Sequence, residues 1–453
     1  MAGGKGTRIS MIAPEIPKPM IKINNKPILE YEIECLFSQG FTDIIITVSY
    51  LGDIIMNYFG DGSRFGVKIT YFCEEEPLGN AGALLKLWES GEIGRDENED
   101  FLLLNADSIF DIDLEKFVEF HKTHGGLATL FTHPNSHPYD SGLIVADQNH
   151  QVTAWLTKED KRPKYYKNRV NAGLHVLNTK LFANVGIDPA LVGTMDKSGK
   201  TIKVDLDRQF LKSLAGTGKL VAYDSTEYVK DMGTPERFEQ VCADFRNGRV
   251  KARNFRNSQK AIFLDRDGTI NRYVGFLRDP EDFELLPEAA EAIKLINNSG
   301  YLAIIITNQP VIARGEITVS QLNDIHNKME TLLGLEGAYI DGLYYCPHHP
   351  GSGFSGEVKM LKINCDCRKP KPGLIFRAAQ EYNIDLHNSW MVGDSDRDIV
   401  AGNAAGCKTI LLSKVSKKGS AENELKDYRE TAPSYVAENL LEAIKITLTK
   451  SKV

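Results

Sequence analysis

The sequence has no apolar run long enough to span a bilayer, and no signal-peptide pattern opens it. It also has no excess of basic residues, because 54 Lys and Arg stand against 61 Asp and Glu, a formal net charge of −7. This balance argues against a broad nucleic-acid or membrane-binding surface, although local basic patches can still bind small anions. We therefore expect a cytoplasmic protein without nucleic-acid or membrane partners. The sequence does not indicate an oligomeric state.

Cysteine is scarce, with seven residues in 453. An odd number of scattered cysteines argues against a disulfide framework. Cys346, Cys365 and Cys367, however, share one loop with His348. Two closely spaced pairs of this kind are suited to a tetrahedral Zn²⁺ site with three thiolates and one imidazole. Because all four ligands would come from the protein, we predict a structural zinc site and treat His349 as a neighbour.

The chain is too long for one ordinary core, so two or more domains are expected. Short runs rich in Ile, Val and Leu alternate with amphipathic stretches, which indicates α/β domains with parallel sheets flanked by helices. One predicted sheet contains residues 43–50, 101–108 and 127–133. A second contains residues 261–268, 302–309, 389–396 and 408–413.

Residues 245–260 are polar, basic and poor in apolar side chains. Such a segment would bury little, and its Asn and Gly residues favour turns, so we predict a linker. The predicted domains are therefore residues 1–244 and 261–453.

The motif "FLDRDGTIN" places Asp265 and Asp267 directly after a predicted strand. Residues two apart at such a point face the same pocket, where two carboxylates could bind a divalent cation. One carboxylate could attack a phosphoryl group and form an aspartyl phosphate. The other could protonate the leaving oxygen and later deprotonate water. An Asp-x-Asp pair alone is equally compatible with a solvated acidic turn.

Three later elements favour the catalytic interpretation. Thr307 ends a strand with a hydroxyl able to hold a phosphate oxygen, and Arg368 with Lys369 supplies positive charge for a transferring phosphoryl group. Asp394 ends a further strand as another candidate metal ligand, with Asp398 one helical turn later. This ordered set resembles the haloacid dehalogenase superfamily of phosphatases, which use an aspartate nucleophile and Mg²⁺.

The cysteine loop together with "DRDGTIN" looks like the D-glycero-D-manno-heptose 1,7-bisphosphate 7-phosphatase family over residues 260–445. The related histidinol-phosphate phosphatases share the zinc loop and remain an alternative. The resemblance implies that Asp265 is the nucleophile and Asp267 the general acid/base. Thr307 and Lys369 would contact the phosphoryl group, and Arg368 would recognise the substrate. Asp265, Asp394 and the backbone oxygen of Asp267 would hold Mg²⁺. Two departures, Pro310–Val311 where the family usually has Ser-Gly and Ser395 where a basic residue is common, affect the expected substrate pocket.

The opening residues "MAGGKGTR" form a glycine-rich loop. Backbone N–H groups of Gly3, Gly4, Gly6 and Thr7 could cradle a triphosphate, and Arg8 could pair with phosphate oxygens bidentately. Alone, such a loop is weak support for a nucleotide site.

Motifs that follow in order strengthen this interpretation. Lys18 in "PKPM" could reach the same phosphates, and Gly79 lies in a second glycine-containing loop suited to a base and sugar. Asp107 ends a predicted strand, where it could hold a metal, although alone it is as compatible with a turn. Asp231, in "DMGTPE", is a second candidate metal ligand. Asn171, in "NAGLHVL", is by itself equally compatible with a helix cap or core amide.

Taken in order, these motifs resemble the sugar-1-phosphate nucleotidyltransferases over residues 1–240. The resemblance implies that Arg8 and Lys18 stabilise the triphosphate, that Asp107 and Asp231 hold Mg²⁺, and that Gly142 and Asn171 contact the sugar. The "PLGNAGAL" stretch looks similar to heptose-1-phosphate and mannose-1-phosphate guanylyltransferases.

These inferences give one overall expectation. We predict two doubly wound α/β domains, a Rossmann-like nucleotidyltransferase and a haloacid dehalogenase-like phosphatase with a zinc loop. In the first family a strand precedes the glycine loop, whereas only Met1–Ala2 do so here, so that first strand is expected to be missing. By resemblance, the chain would use heptose phosphates and GTP to make GDP-D-glycero-D-manno-heptose. The alternative is a phosphatase joined to a non-catalytic binding module.

Overall fold

The computed structural model describes residues 15–94, 96, 98–184, 186–413 and 432–450. The chain divides into two compact units. The first contains the described residues up to His133, together with Gly142–Glu159 and Arg169–Asn254. The second contains Pro134–Ser141, Asp160–Asn168 and the described residues from Phe255 onward. Within these described ranges, the helices are all too short or too polar to cross a membrane.

The first unit alternates strands with short helices. Its strands are β1 Lys22–Ile23, β2 Lys26–Pro27, β3 Asp43–Val48, β4 Lys68–Cys73, β5 Asp100–Leu104, β6 Ser108–Asp111, β7 Ala128–His133, β8 Leu143–Ala146, β9 Val152–Leu156, β10 Val170–Asn178, β11 Leu220–Asp224 and β12 Tyr228–Asp231. Its helices are α1 Ile28–Ser38, α2 Gly52–Phe59, α3 Gly82–Glu89, α4 Leu114–His124, α5 Lys180–Asn184, α6 Pro235–Arg246 and α7 Arg249–Ala252.

The main sheet of the first unit is mixed rather than parallel. Its order is β11-β7-β10-β8-β9, with β5 also paired to β10. Strands β11 and β7 run parallel, whereas β10 is antiparallel to β5, β7 and β8. The α/β class is confirmed, but the prediction that residues 43–50 share a sheet with 101–108 and 127–133 is wrong for the described part of the chain. There, β3 pairs with β4, because an apolar run specifies burial without specifying a partner strand.

The predicted linker, residues 245–260, is largely folded. It includes the end of α6, the helix α7 and the start of a strand, and Arg249, Val250 and Phe255 are buried. The Arg249 guanidinium donates to the Asp244 carboxylate at 3.1 and 3.2 Å. Pairing lets a charged group be buried, so a basic composition does not by itself indicate exposure. The last boundary between the two units along the chain falls between Asn254 and Phe255, inside this segment.

The second unit is a parallel sheet flanked by helices. Its strands are β13 Lys260–Leu264, β14 Tyr301–Asn308, β15 Gly342–Cys346, β16 Trp390–Gly393, β17 Lys408–Leu412 and β18 Tyr435–Ala437. Its helices are α8 Ala289–Asn297, α9 Val319–Leu335, α10 Gly373–Tyr382, α11 Asp396–Ala404 and α12 Leu440–Lys450. The sheet order is β15-β14-β13-β16-β17-β18, and all its pairings are parallel. This confirms that the second predicted set of strands forms one sheet.

The strand order places the candidate site. Strands β13 and β14 are buried on both faces, which explains their almost uninterrupted apolar sequence. Chain order runs from β13 outward to β14 and β15 on one side, then returns to β16 on the other side of β13. Such a reversal opens a crevice at the carboxyl ends of the strands, where ligands bind in open α/β sheets. Asp265 follows β13 at this point.

Candidate functional site

Three carboxylates meet at the carboxyl edge of the second sheet. The backbone N–H of Asp265 donates to the carbonyl of Val392 at 3.0 Å, which fixes the residue between β13 and β16. Asp394 follows β16, and Asp398 lies in the first turn of α11. One oxygen from each of these three carboxylates lies within 4.8 Å of the others. This spacing suits a shared divalent cation.

Lys369 is the cation of this cluster. Its Nζ lies 2.8 Å from Asp265 Oδ1 and 2.7 Å from Asp398 Oδ1, and it donates to the Ile306 carbonyl at 2.6 Å. The side chain is buried, with 3% exposed. Asn308 holds the Lys369 backbone in place, because its amide donates to the Lys369 carbonyl and accepts from the Lys369 N–H, both at 3.0 Å.

Burial and neighbouring charge compete in this cluster. Burial raises the pKa of Asp265, Lys369 opposes that shift, and Asp398 adds to it. Burial alone would lower the pKa of Lys369, but Asp265 and Asp398 outweigh it, so this pKa lies above its ordinary value. Three carboxylates against one ammonium leave a net negative charge, which a bound divalent cation would balance.

Asp267 occupies a separate, donor-rich position. Its carboxylate accepts hydrogen bonds from Arg266, Asn271 and Gln309. Gln309 donates from the same amide nitrogen to Thr307 Oγ1, at 2.9 Å to each acceptor. The structure therefore joins the predicted acid/base residue to the predicted phosphate-binding hydroxyl through one buried amide.

Arg368 lies against the cysteine loop. Its Nη1 donates to the His348 carbonyl at 3.3 Å, which links the residue predicted to recognise substrate to the predicted zinc ligands. Together, the described residues bring Asp265, Asp267, Thr307, Lys369 and Asp394 to the carboxyl edge of one sheet.

The four predicted zinc ligands form one compact group. Sγ–Sγ distances are 3.5 Å for Cys346–Cys365 and 3.2 Å for both Cys346–Cys367 and Cys365–Cys367. His348 Nδ1 lies 3.7 Å from Cys346 Sγ and 3.2 Å from Cys367 Sγ. Sulfur ligands around one zinc are about 3.8 Å apart, so the cluster needs only slight expansion to hold an ion. His349 instead accepts from the Gly351 N–H at 3.1 Å.

In the first unit, Lys18 and Asp107 are in contact, with Nζ 3.3 Å from Oδ2. Asp231 lies on the neighbouring strand, since the Met232 N–H donates to the Asp107 carbonyl at 3.2 Å. The Asp231 carboxylate accepts from Arg237 Nη1 at 2.7 and 2.8 Å. The two predicted metal ligands are thus adjacent, with an arginine already paired to one of them.

The other predicted residues of the first unit are less informative. Gly79 has a positive φ of 83°, and a Cβ there would lie 2.4 Å from the Val204 carbonyl oxygen, so this loop requires glycine. Asn171 Oδ1 accepts from the Gly173 N–H at 3.2 Å beside a bulge in β10. A Cβ at Gly142 would lie 2.9 Å from Trp155 Nε1. Gly3, Gly4, Gly6, Thr7 and Arg8 lie outside the described residues.

Sequence reasoning gave no role to several residues of the second site. Asp398, Asn308 and Gln309 are within quoted motifs but are ordinary polar residues on sequence grounds. Arg266 lies between the two aspartates, and its side chain is fully buried. The sequence signal that could have found these residues is their position, because each of them lies one to four residues from a predicted site residue.

Two family models match different parts of the chain. A nucleotidyl transferase family model matches residues 1–247. A HAD-hydrolase-like family model matches residues 366–443.

Curated relatives match slightly more than a third of the chain. The D-glycero-beta-D-manno-heptose-1,7-bisphosphate 7-phosphatase of Haemophilus ducreyi is 40% identical over 169 residues, which are 37% of this chain and 90% of that protein. The protein of the same name from Escherichia coli K12 is 38% identical over 167 residues, 37% of this chain and 85% of that protein.

Two solved structures are each similar to a portion of the chain. D,D-heptose 1,7-bisphosphate phosphatase from B. bronchiseptica, complexed with magnesium and phosphate, is 32% identical and covers 42% of this chain and 99% of that one, with a TM-score of 0.35. HddC from Yersinia pseudotuberculosis is 25% identical and covers 54% of this chain and 96% of that one, with a TM-score of 0.43. On the family-model match and the curated relatives, the chain belongs to the nucleotidyl transferase family through its first half and to the haloacid dehalogenase-like phosphatases through its second.

Proposed function

We propose that the chain is a bifunctional enzyme of GDP-heptose synthesis. The second unit would remove the 7-phosphate of D-glycero-D-manno-heptose 1,7-bisphosphate, and the first would transfer GMP from GTP to heptose 1-phosphate. The observation that carries this proposal is the cluster of Asp265, Asp394, Asp398 and Lys369. It occurs in a chain of which 169 residues are 40% identical to a protein named as that 7-phosphatase.

In the proposed phosphatase reaction, Asp265 attacks the phosphorus atom and forms an aspartyl phosphate. Asp267 gives a proton to the leaving sugar oxygen, and then takes one from the water that hydrolyses the intermediate. Thr307 and Lys369 hold the phosphoryl oxygens, and Arg368 contacts the substrate. Lys369 is suited to this role because two carboxylates and a backbone carbonyl hold its ammonium group in position before any substrate binds.

Magnesium fits the acidic cluster, because oxygen donors and a net negative charge are what this cation requires. Asp265, Asp394 and the backbone oxygen of Asp267 would hold it, and Asp398 is a further candidate on distance. When bound, the cation offsets negative charge on the transferring phosphoryl group. Three thiolates and an imidazole favour Zn²⁺ in the separate cysteine cluster. All four positions are protein ligands, which supports a structural role.

In the proposed transferase reaction, an oxygen of heptose 1-phosphate attacks the α-phosphate of GTP, and pyrophosphate leaves. Positioning and charge neutralisation dominate such a reaction. The contact between Lys18 and Asp107 and the adjacency of Asp231 support these residues as its phosphate and metal partners. Arg237 would have to release Asp231 for that carboxylate to bind Mg²⁺.

The two proposed activities are chemically consecutive, because a 7-phosphatase leaves the 1-phosphate that a sugar nucleotidyltransferase consumes. The full chain is therefore expected to release phosphate from heptose 1,7-bisphosphate in preference to histidinol phosphate. It is also expected to release pyrophosphate from GTP and heptose 1-phosphate. Both are measured by coupled assays on one preparation. Preference for histidinol phosphate would contradict the sugar assignment, and a folded protein with phosphatase activity alone would favour the binding-module alternative.

Replacing the nucleophile should separate the two activities. We expect Asp265→Asn to lower phosphate release by about 10³-fold or more, because the neutral amide cannot attack phosphorus. Pyrophosphate release in the same preparation should be unchanged. Asp366→Asn is the matched control, since this side chain is 94% exposed, and it should leave both rates at the wild-type level. Loss of both activities in Asp265→Asn would argue against independent sites.

Replacing one thiolate should empty the proposed zinc site. Cys365→Ser is expected to lower bound zinc from about one ion per chain to well below that, measured by elemental analysis. Phosphatase activity should fall because Arg368 bonds to this loop. Cys73→Ser, at an exposed cysteine of the first unit, is the control and should keep its zinc. Full zinc content in Cys365→Ser would rule out the proposed ligation.

A further inference from the structure

Arg266 is the residue between the proposed nucleophile and the proposed general acid/base, and its side chain is fully buried. A buried guanidinium is costly unless its donors are paired. Here it binds the Asp267 carboxylate along one edge. Nε lies 3.2 Å and Nη2 3.0 Å from Oδ1, and Nη2 lies 2.8 Å from Oδ2. Contact with both oxygens fixes the plane of the carboxylate as well as its position.

Two further donors complete this arrangement. Asn271 Nδ2 donates to Oδ1 of Asp267 at 3.0 Å, and Gln309 Nε2 donates to Oδ2 at 2.9 Å. Asn271 lies in the loop after β13, and Gln309 directly follows β14. Rotation of the Asp267 carboxylate would therefore break several hydrogen bonds at once.

His326 supports Arg266 from the opposite side. It lies on α9, is 6% exposed, and its Nε2 is 3.1 Å from Arg266 Nη1. Burial and the adjacent guanidinium hold the pKa of His326 well below its usual range, so the ring is neutral. A neutral ring facing an N–H donor accepts through Nε2, and the ring proton is then on Nδ1. The only described hydrogen bond of Arg266 Nη1 is to this histidine.

We propose that Arg266 and His326 are positioning residues for Asp267: His326 fixes the Arg266 guanidinium, and Arg266 orients the carboxyl group that exchanges a proton with the leaving oxygen. This inference rests on the proposed phosphatase function. It gives that site two supporting residues that none of the sequence motifs indicated. His326 acts through Arg266, and Arg266 acts through the carboxyl group of Asp267.

The proposed role affects one step more than others. In the first step the Asp265 oxygen bonds to phosphorus, the ester P–O bond breaks, and the leaving oxygen takes the Asp267 proton. In the second, a water oxygen bonds to phosphorus, its proton passes to Asp267, and the bond from Asp265 breaks to give phosphate. A sugar alkoxide leaves poorly without a proton, whereas a p-nitrophenolate leaves without one. Misplacing Asp267 should therefore harm alkyl esters selectively.

The test compares two esters in the full-length enzyme. We expect His326→Leu, which removes the acceptor for Arg266, to lower kcat/KM for heptose 1,7-bisphosphate by about 10-fold to 100-fold. The kcat/KM for p-nitrophenyl phosphate should fall by less than about threefold, because kcat/KM reports only steps through leaving-group release. His326→Gln keeps an acceptor oxygen and should restore the alkyl ester rate to within about threefold of the wild type.

Asp267→Asn separates failure of this inference from failure of the proposed function. If Asp267→Asn does not discriminate between the esters, the acid/base role of Asp267 itself is wrong. If Asp267→Asn discriminates but His326→Leu lowers both esters equally, or neither, the positioning role is overturned. Should His326→Leu fail to fold, Arg266→Lys keeps the charge and removes the two-point contact. It should show the same selective loss, and equal rates on both esters would contradict the proposal.

Discussion

The candidate site of the second unit depends on the contact of one buried ammonium group with two carboxylates. Lys369 lies within 2.8 Å of both Asp265 and Asp398 while also bonding to a β14 carbonyl. A parallel sheet with a reversal of strand order makes this possible, because it brings residues distant in sequence to one edge. The buried apolar strands beneath the cluster lower the local dielectric constant, and this strengthens the electrostatic interactions among these charges. The arrangement of the site residues and the packing of the core thus both follow from the strand order of this sheet.

Around that contact the site is organised in two separate charge groups. Asp265 and Asp398 share Lys369, and together with Asp394 they carry an excess of negative charge that favours a cation. Asp267 is instead paired with Arg266, which is in turn held by His326 on α9. This separation gives two aspartates only two positions apart different environments, and different environments are what allow two carboxyl groups to take different chemical roles.

Much of this arrangement could be predicted from the sequence because its motifs follow buried strands. Asp265, Thr307 and Asp394 were placed at one sheet edge from apolar runs alone, and the cysteine and histidine spacing indicated a shared ion. The sequence could not predict contacts made by distant residues, such as His326 with Arg266. It also could not indicate that β3 pairs with β4, or that residues 134–141 and 160–168 belong to the second unit. No local pattern encodes these partners.

The most direct test of the account is chemical trapping of the intermediate on Asp265. Enzyme quenched during turnover of heptose 1,7-bisphosphate is treated with sodium borohydride, which reduces an acyl phosphate to an alcohol, and its peptides are analysed by mass spectrometry. The account predicts conversion of Asp265, and no other aspartate, to homoserine, with none in enzyme lacking substrate. An unmodified Asp265 beside a converted Asp267 or Asp394 would contradict it.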